Sequence, residues 1–289
     1  MLLCLDVGGT ELKGAAVQNG VLQTPILHFP AQSTAAKDLL LQHFADVFRA
    51  IAQQAPSEPI TGLRLAFPGP FDYKNGVCLM QGLAKYDALY QVNLRHALGH
   101  ALAEYAPTEQ DIRFVNDVAA FALGELCFGQ ATGSQRSLFV CIGTGCGSAF
   151  GLGNRLAPPG TPGVPPDGYV YPYPFLDGCI DDALSRRGLM RLSQEQLGEA
   201  LDGKGLATRV AQGDQNAAAC FTAFGVRVRD ALAPFLLDYR PDLLCLGGQI
   251  TRSISLFGEP LQTFCDCHGI RLCVTSDTSV RAVQGLCVI

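Results

Sequence analysis

The first residues that could do chemistry lie in a short stretch near the N-terminus, LLCLDVGGTELKG. Asp6 ends an apolar run, and Gly8, Gly9 and Thr10 follow directly. Glycines let backbone N–H groups converge on phosphate oxygens, and a threonine hydroxyl adds one further donor. The stretch lacks the closing Lys-Ser or Lys-Thr pair of a P-loop. It therefore indicates either a phosphate-binding turn of another kind or an ordinary turn after a strand.

A second stretch, VCIGTGCGSAFGLGNRLA, repeats the plan of strand, glycine turn and strand, with Gly143, Thr144 and Gly145 in its turn. The repetition favours phosphate binding by both turns, and it suggests two domains built on one plan that face each other. A strand follows these glycines, whereas a dinucleotide fingerprint would continue into a helix. Asp6 corresponds to Cys141, so only the first turn offers a carboxylate.

A third candidate is the pair Asn116 and Asp117 in RFVNDVAAFALGE, where a strand runs into a helix. Both residue types are favoured as helix N-caps, so a purely structural role is one interpretation. The other is a general base, since a carboxylate here could take a proton from a hydroxyl whose oxygen attacks phosphorus. The sequence leaves both roles open.

These candidates must be positioned by a mixture of strands and helices. Apolar runs such as LLCLDV and PDLLCLGGQI predict buried strands, and AAKDLLLQHFADVFRAIAQQ carries apolar residues at helical spacing. KGAAVQNGVLQTPILHF predicts two further strands with a turn at Asn19-Gly20. APPGTPGVPPDGYVYPYPF is rich in proline and glycine and predicts an irregular loop. The alternation indicates an α/β protein.

Composition excludes several classes of protein. With 289 residues, 48% hydrophobic and 16% charged, the chain is long enough and apolar enough for a globular core. A formal net charge of −5 argues against a nucleic-acid partner. No run reaches the length of a membrane-spanning helix, and the first residues lack the basic flank of a secretion signal. We therefore expect a cytoplasmic protein with no membrane or nucleic-acid partner.

The chain has twelve cysteines, and four of them lie in strand-like apolar runs, where cysteine acts as a small hydrophobe. These four are Cys4, Cys141, Cys245 and Cys287. CDCHG places Cys265, Cys267 and His268 close together, but zinc ligands are usually spaced more widely. Reduced thiols are favoured over a metal site.

The two hairpin stretches, with FPGPFD, VNDVAAFALGE and LCLGGQI, occur in the order seen in the ROK (repressor–ORF–kinase) family of sugar kinases, and the resemblance runs from residue 3 to about residue 250. It implies a two-domain actin-like ATPase (ribonuclease H-like) fold. Each domain would be a mixed sheet flanked by helices, with the active site in the interdomain cleft. We expect an N-terminal domain over 1–115, which the segment 276–289 could complete, and a C-terminal domain over 116–275.

The resemblance assigns a role to each part of the nucleotide site. The turn Gly8, Gly9 and Thr10 would meet the γ-phosphate of ATP, and Asp6 would hold Mg²⁺ through water. Lys13 would approach the phosphates, although a solvated strand lysine is an equal alternative. In the second domain the triphosphate would contact the turn of Gly143, Thr144 and Gly145. Adenosine would lie against the backbone at Gly247 and Gly248.

It also assigns the sugar site. Asp117 would be the catalytic base, and Asn116 and the main chain of Gly69 would contact the sugar. Gln81 and Gly82 stand where the family often places Asn and Leu. The family's Glu-x-Gly-His segment reads GVPPDGYVYPYP here, which puts Tyr169 at the histidine position and a proline at the glutamate position.

Two features of this region depart from the family. The cysteine cluster that binds zinc is missing, with only Cys179 left, so we expect no structural zinc. Tyr169, Tyr171 and Tyr173 could stack on a sugar ring, but tyrosines interleaved with prolines more often cover a loop or a subunit contact.

The resemblance thus predicts ATP- and Mg²⁺-dependent phosphorylation of a hexose or hexose derivative at its 6-hydroxyl. The alternative from the same family is a catalytically silent sugar-binding sensor. A repressor is disfavoured, because the first strand begins at residue 2 with no helix-turn-helix before it and the net charge is negative. A homodimer is expected by analogy.

Overall fold

The computed structural model describes residues 1–289. The strands are β1 (Leu2–Val7), β2 (Glu11–Gln18), β3 (Val21–Leu22), β4 (Leu27–Pro30), β5 (Leu63–Phe67), β6 (Phe71–Asp72), β7 (Val77–Cys78), β8 (Ile112–Asn116), β9 (Arg136–Ile142), β10 (Cys146–Leu152), β11 (Arg155–Leu156), β12 (Pro174–Phe175), β13 (Gly178–Cys179), β14 (Leu243–Gly247) and β15 (Arg271–Val274). The helices are α1 (Lys37–Gln54), α2 (Leu94–Ala101), α3 (Asp117–Phe128), α4 (Ile180–Ala183), α5 (Arg186–Leu197), α6 (Gly203–Ala211), α7 (Gln215–Tyr239), α8 (Ile254–Phe257), α9 (Glu259–Cys267) and α10 (Thr278–Gly285). None of these helices has both the length and the apolar character needed to span a bilayer.

The chain forms two compact units, one of Met1–Gly129 with Ser279–Ile289 and one of Gln130–Thr278. The sequence expectation had placed the boundary at 115/116, before α3. This helix groups with the first unit because it packs on β5 and β8 and on the last turn of the chain. Each unit has its own hydrophobic core.

The first unit is built on a sheet of strand order β3-β2-β1-β5-β8, with β4 also paired to β2. β1 and β2 are antiparallel, whereas β1, β5 and β8 run parallel. After β2 the chain forms two short strands, β3 and β4. The turn at Asn19-Gly20, between β2 and β3, has positive φ at both residues (52° and 79°). α1 covers the sheet through an apolar stripe that includes Leu40, Phe44 and Ile51, all buried.

The second unit repeats this plan in a sheet of order β11-β10-β9-β14-β15. β9 and β10 are antiparallel, and β9, β14 and β15 are parallel. The sequence repeat thus corresponds to matched hairpins, β1–β2 and β9–β10, at equivalent places in two sheets. The proline-rich loop contributes only the short β12–β13 pair.

No disulfide joins any of the twelve cysteines, and their environments differ. Cys4 and Cys245 are buried in strands as predicted, but Cys287 lies in a short helical turn rather than a strand. In the CDCHG stretch, burial raises the pKa of the Cys265 thiol to about 11, and Cys267 is exposed. The ring of His268 stacks on Phe264 and bonds the carbonyl oxygen of that residue at 2.7 Å.

Candidate active site

The parallel strands of the first unit bring the candidate residues to one edge of the sheet. Asp6 of β1 lies opposite Ala66 of β5, and Phe67 of β5 lies opposite Asn116 of β8. The carboxyl ends of β1, β5 and β8 therefore meet at the same edge. This is the edge at which open α/β sheets bind ligands. Gly69 follows β5 there, and a Cβ on it would lie 3.4 Å from the hydroxyl of Tyr73.

Two side-chain hydroxyls hold the first glycine turn by donating hydrogen bonds to its carbonyl groups. The Tyr86 hydroxyl donates to the Gly8 carbonyl at 2.7 Å, and the Ser33 hydroxyl donates to the Gly9 carbonyl at 2.7 Å. The Tyr86 N–H in turn donates to the Ser33 carbonyl at 2.6 Å. Ser33 and Tyr86 were not anticipated from the sequence, since neither belongs to a recognisable motif.

The conformation of this turn leaves donors available for an anion. The Gly8 N–H closes the turn onto the Glu11 carbonyl at 3.0 Å, and a Cβ on Gly8 would approach that oxygen to 2.6 Å. Gly9 and Thr10 are exposed, and no protein acceptor receives their N–H groups. The turn thus offers the unused N–H groups of two consecutive exposed residues, which are donors of the kind that phosphate binding requires.

Asp6 and Lys13 face each other across the β1–β2 pair. Burial, followed by the charge of Asp6, raises the pKa of the Tyr86 phenol, whose hydroxyl supports the turn. The Lys13 ammonium donates to the Ser279 hydroxyl at 3.1 Å and lies 3.5 Å from the Glu11 carboxylate. The expected contact of Lys13 with phosphate stays a prediction.

The residues present fit a magnesium ion that is held with the help of substrate and water. No group of three or more His, Cys, Asp or Glu side chains is arranged to bind a metal by itself. Mg²⁺ usually keeps several waters and takes one or two carboxylates together with substrate phosphates. A single carboxylate such as Asp6, beside a turn that would bind phosphate, matches that pattern. The expected absence of the family's structural zinc stays a prediction.

Asn116 and Asp117 divide the two roles that the sequence left open. The Asn116 side chain caps α3 by accepting the N–H groups of Val118 and Ala119 at 3.0 and 3.2 Å. Its amide nitrogen donates to the Tyr73 hydroxyl at 3.3 Å. Asp117 is the first residue of α3. Of the two N–H groups that Asn116 accepts, the Asp117 carboxylate accepts only that of Val118, at 3.0 Å. The capping role therefore falls on Asn116.

The Asp117 carboxylate has the electrostatics of a base. Burial raises its pKa above that of an ordinary aspartate, while the N–H of Val118 and the charge of Lys85 oppose the rise. A carboxylate with a raised pKa binds a proton more strongly and so is the better general base near neutral pH. Lys85 was also not anticipated from the sequence.

Gln81 and Gly82 lie in an exposed loop of the first unit. Gly82 has a φ of 71°, and no atom lies within 4 Å of where its Cβ would stand. The Asp87 carboxylate holds the same loop by accepting the N–H groups of Leu83 and Ala84, each at 3.1 Å. Both residues are therefore accessible to a ligand. Their contact with a sugar stays a prediction.

In the second unit, the expected nucleotide residues meet at the matching edge of the sheet. Cys141 of β9 lies opposite Gly247 of β14, and a Cβ on Gly143 would lie 3.8 Å from the N–H nitrogen of Gln249. Gly248 has a φ of 96°, and a Cβ there would overlap the Ile142 carbonyl. The glycine is thus required where two chain segments pass closely.

The second glycine turn is also braced by side chains. The Asp181 carboxylate accepts the N–H of Cys146 at 2.6 Å and binds the Arg187 guanidinium at 2.7 Å. A Cβ on Gly145 would lie 2.9 Å from the same carboxylate. Thr144, at the tip of the turn, is exposed. Asp181 was not anticipated from the sequence.

The three tyrosines of the proline-rich loop behave differently from one another. The rings of Tyr169 and Tyr171 lie 5.6 Å apart in a tilted arrangement. Tyr173 packs edge-on against Phe235 of α7, with ring centroids 5.0 Å apart. Tyr173 therefore covers its own unit, whereas a sugar contact by Tyr169 stays a prediction.

The two sheets, each an antiparallel hairpin continued by parallel strands and covered by helices, define an α/β fold of the actin-like ATPase class. The chain belongs to the ROK family, whose family model matches residues 2–268. Among solved structures, a ROK hexokinase from Thermus thermophilus superposes with a TM-score of 0.79 at 19% identity, covering 99% of this chain and 96% of that one. The fold class and the family predicted from the sequence are thereby confirmed.

The relatives include kinases that act on different sugars. The N-acetylgalactosamine kinase AgaK of Shewanella sp. (strain ANA-3) is 25% identical over 268 residues, which cover 86% of this chain and 81% of the relative. The glucokinase of Thermotoga maritima is 22% identical, with 90% and 86% covered. A ROK family glucokinase from Streptomyces griseus, solved in complex with glucose and AMPPNP, has a TM-score of 0.73 at 16% identity and covers 99% and 98%.

Proposed function

We propose that this protein is an ATP-dependent sugar kinase that phosphorylates a hexose or an N-acetylated hexosamine at its 6-hydroxyl. The observation that carries the proposal is Asp117: a carboxylate at the sheet edge, with a raised pKa, whose neighbour Asn116 does the helix capping. Membership of the ROK family and the kinase activities of its relatives support the same reaction.

In this reaction Asp117 takes the proton of the sugar hydroxyl as its oxygen attacks the γ-phosphorus of ATP. The N–H groups of Gly9 and Thr10 bind oxygens of the transferred phosphoryl group, and Asn116 with the main chain at Gly69 orients the sugar. Phosphoryl transfer depends mainly on such positioning and charge compensation. Mg²⁺, when bound beside Asp6, supplies neutralisation of the phosphate charge.

In the second unit, the turn at Gly143–Gly145 binds phosphate oxygens of the nucleotide, and adenosine lies against the backbone at Gly247 and Gly248. The use of ATP is supported by the glucokinase that was solved with AMPPNP. The sugar's anomeric end is left to the loop around Tyr169, because the family's Glu-x-Gly-His segment is replaced there.

The test is ADP release from Mg·ATP across a panel of hexoses, N-acetylhexosamines and β-glucosides, with Asp117→Asn beside the wild type. Loss of the base should lower kcat by about 10²–10⁴-fold. Nucleotide affinity, measured by calorimetry, should change little. Asp38→Asn is the matched control, because its carboxylate is 91% exposed on α1 of the same unit. Carbon NMR of the product identifies the phosphorylated hydroxyl.

Sugar binding without any stimulated ADP release would contradict the proposal. That outcome would favour the alternative of a catalytically silent sugar sensor. Equal turnover of Asp117→Asn and wild type would remove Asp117 from the mechanism even if the kinase activity is real.

A further inference from the structure

Lys85 extends across the first glycine turn. Its Cδ lies 3.4 Å from the point where a Cβ of Gly9 would stand. Its positive charge also acts on Asp117 and holds the pKa of that carboxyl below the value that burial alone would give. The half-buried Lys85 therefore lies beside the turn that would bind phosphate and acts electrostatically on the carboxylate that would be the base.

The backbone on either side of Lys85 is fixed at a conformational cost. Ala84 and Tyr86 have φ of 55° and 57°, in the left-handed region that residues other than glycine seldom adopt. Such strain is retained where the surrounding structure over-determines it, and it clusters at functional sites. Here the Tyr86 side chain is buried, and the Asp87 carboxylate fixes the N–H of Ala84. These contacts fix the backbone from which the Lys85 side chain starts, next to the turn.

The ammonium group of Lys85 has no carboxylate partner of its own. It forms no ion pair within 4.0 Å, whereas Lys13, on the same unit, lies 3.5 Å from Glu11. The charge of Asp117 acts on Lys85 without forming an ion pair with it. An anion bound at the Gly8–Thr10 turn would supply a counter-charge in direct contact.

We propose that Lys85 is a further catalytic residue, whose ammonium group contacts the phosphoryl group as it is transferred. This inference rests on the proposed kinase function. The sugar oxygen forms a bond to the γ-phosphorus, and the bond from that phosphorus to the β-phosphate oxygen breaks, with its electron pair leaving on ADP. The hydroxyl proton passes to Asp117. Lys85 keeps its proton and offsets the negative charge on the transferred oxygens.

The test compares wild type, Lys85→Met, Lys85→Arg and the control Lys37→Met, whose ammonium is exposed on α1. Steady-state kinetics over a range of pH give kcat and the pH–rate profile, and calorimetry gives the affinities for AMPPNP and ADP. Lys85→Met should lower kcat by about 10²–10³-fold, the usual effect of removing one transition-state donor. It should weaken binding of AMPPNP more than binding of ADP. Lys85→Arg should recover part of both losses, and Lys37→Met should match the wild type.

Three outcomes would overturn the Lys85 contact, and a fourth would distinguish it from the proposed kinase function. Unchanged kcat in Lys85→Met overturns the inference. Equal loss of AMPPNP and ADP affinity also overturns it, because it indicates a disturbed turn rather than a lost γ-phosphate contact. A shift of only the acid limb of the pH–rate profile would show that Lys85 acts solely through Asp117, and it too overturns the contact. Selective loss of AMPPNP affinity in a protein that no sugar activates would support the Lys85 contact and refute the kinase.

Discussion

Replacing Arg281 should destabilise the first unit much more than replacing its ion-pair partner, Glu125. Glu125 lies on α3, the helix that begins at Asp117, and its side chain is 0% exposed, whereas that of Arg281 on α10 is 29% exposed. Their closest charged atoms are 3.4 Å apart. The buried member of the pair therefore depends on its counter-charge, and the half-exposed member can be hydrated in its absence.

The magnitudes follow from what each variant leaves behind. Arg281→Met leaves a buried carboxylate without this counter-charge, for which about 3–5 kcal/mol of unfolding free energy is typical. It also removes the bond from the guanidinium to the Phe128 carbonyl, at 2.7 Å, near the end of α3. Glu125→Gln keeps the shape of the side chain and that bond, so we expect about 1–3 kcal/mol. Combining the two changes should be less harmful than their sum, because no buried charge remains.

Urea unfolding followed by far-ultraviolet circular dichroism measures the four species of this cycle. The two units can unfold separately, so hydrogen exchange of peptides from α3 is needed to identify the unit affected. Arg229→Met is the matched control, since it breaks an exposed pair with Asp230 and should change stability by at most about 0.5 kcal/mol. The reasoning is refuted if Arg281→Met is no more harmful than Glu125→Gln, or if the effects add.

Two further predictions concern the site itself. Tyr86→Phe removes the hydroxyl that holds the Gly8 carbonyl, so it should cost about 1 kcal/mol of stability and raise the KM for ATP in the kinase assay; an unchanged KM would mean that the turn needs no support. Asp117→Asn should be more stable than the wild type near neutral pH, as measured by urea unfolding. Burial raises the pKa of Asp117 in the folded protein above its value in the unfolded chain. Below the unfolded-state pKa the carboxyl is protonated in both states and costs no stability. As pH rises through the folded-state pKa, the buried carboxyl ionises and the wild type loses stability relative to Asp117→Asn. The gain should vanish at acidic pH, below the ordinary aspartate pKa of about 4, and a gain that persists there would contradict this account.

The local parts of the site could be predicted from the sequence. The glycine turn after Asp6 and the Asn116 cap each involve a few consecutive residues, and their types restrict the backbone directly. β1 accordingly ends at Val7, and α3 begins at Asp117. The matched hairpins were also visible, because both copies retain the order of strand, glycines and strand.

The supporting residues could not be predicted, because they reach the site through tertiary contacts. Ser33 and Tyr86 lie on separate loops, and nothing in their neighbours' spacing marks a tyrosine that will bind the Gly8 carbonyl. Lys85 follows Ala84, whose left-handed backbone no local rule would assign to an alanine. The extension of the first unit to Gly129 could not be predicted for the same reason, since the partner of α3 lies at the far end of the chain.

The contact between α3 and α10 has a consequence for how the protein is made. A Cβ on Gly124 would overlap the Arg281 carbonyl, and one on Gly285 would overlap the Ala120 carbonyl, so the two helices meet backbone to backbone. During translation, the residues up to Gly129 emerge long before Ser279–Ile289 are synthesised. The second unit, continuous in sequence, can fold while the first waits for its last helix. The helix that begins with Asp117 is therefore among the last parts of a nascent chain to gain its native packing, although its sequence is translated before the midpoint.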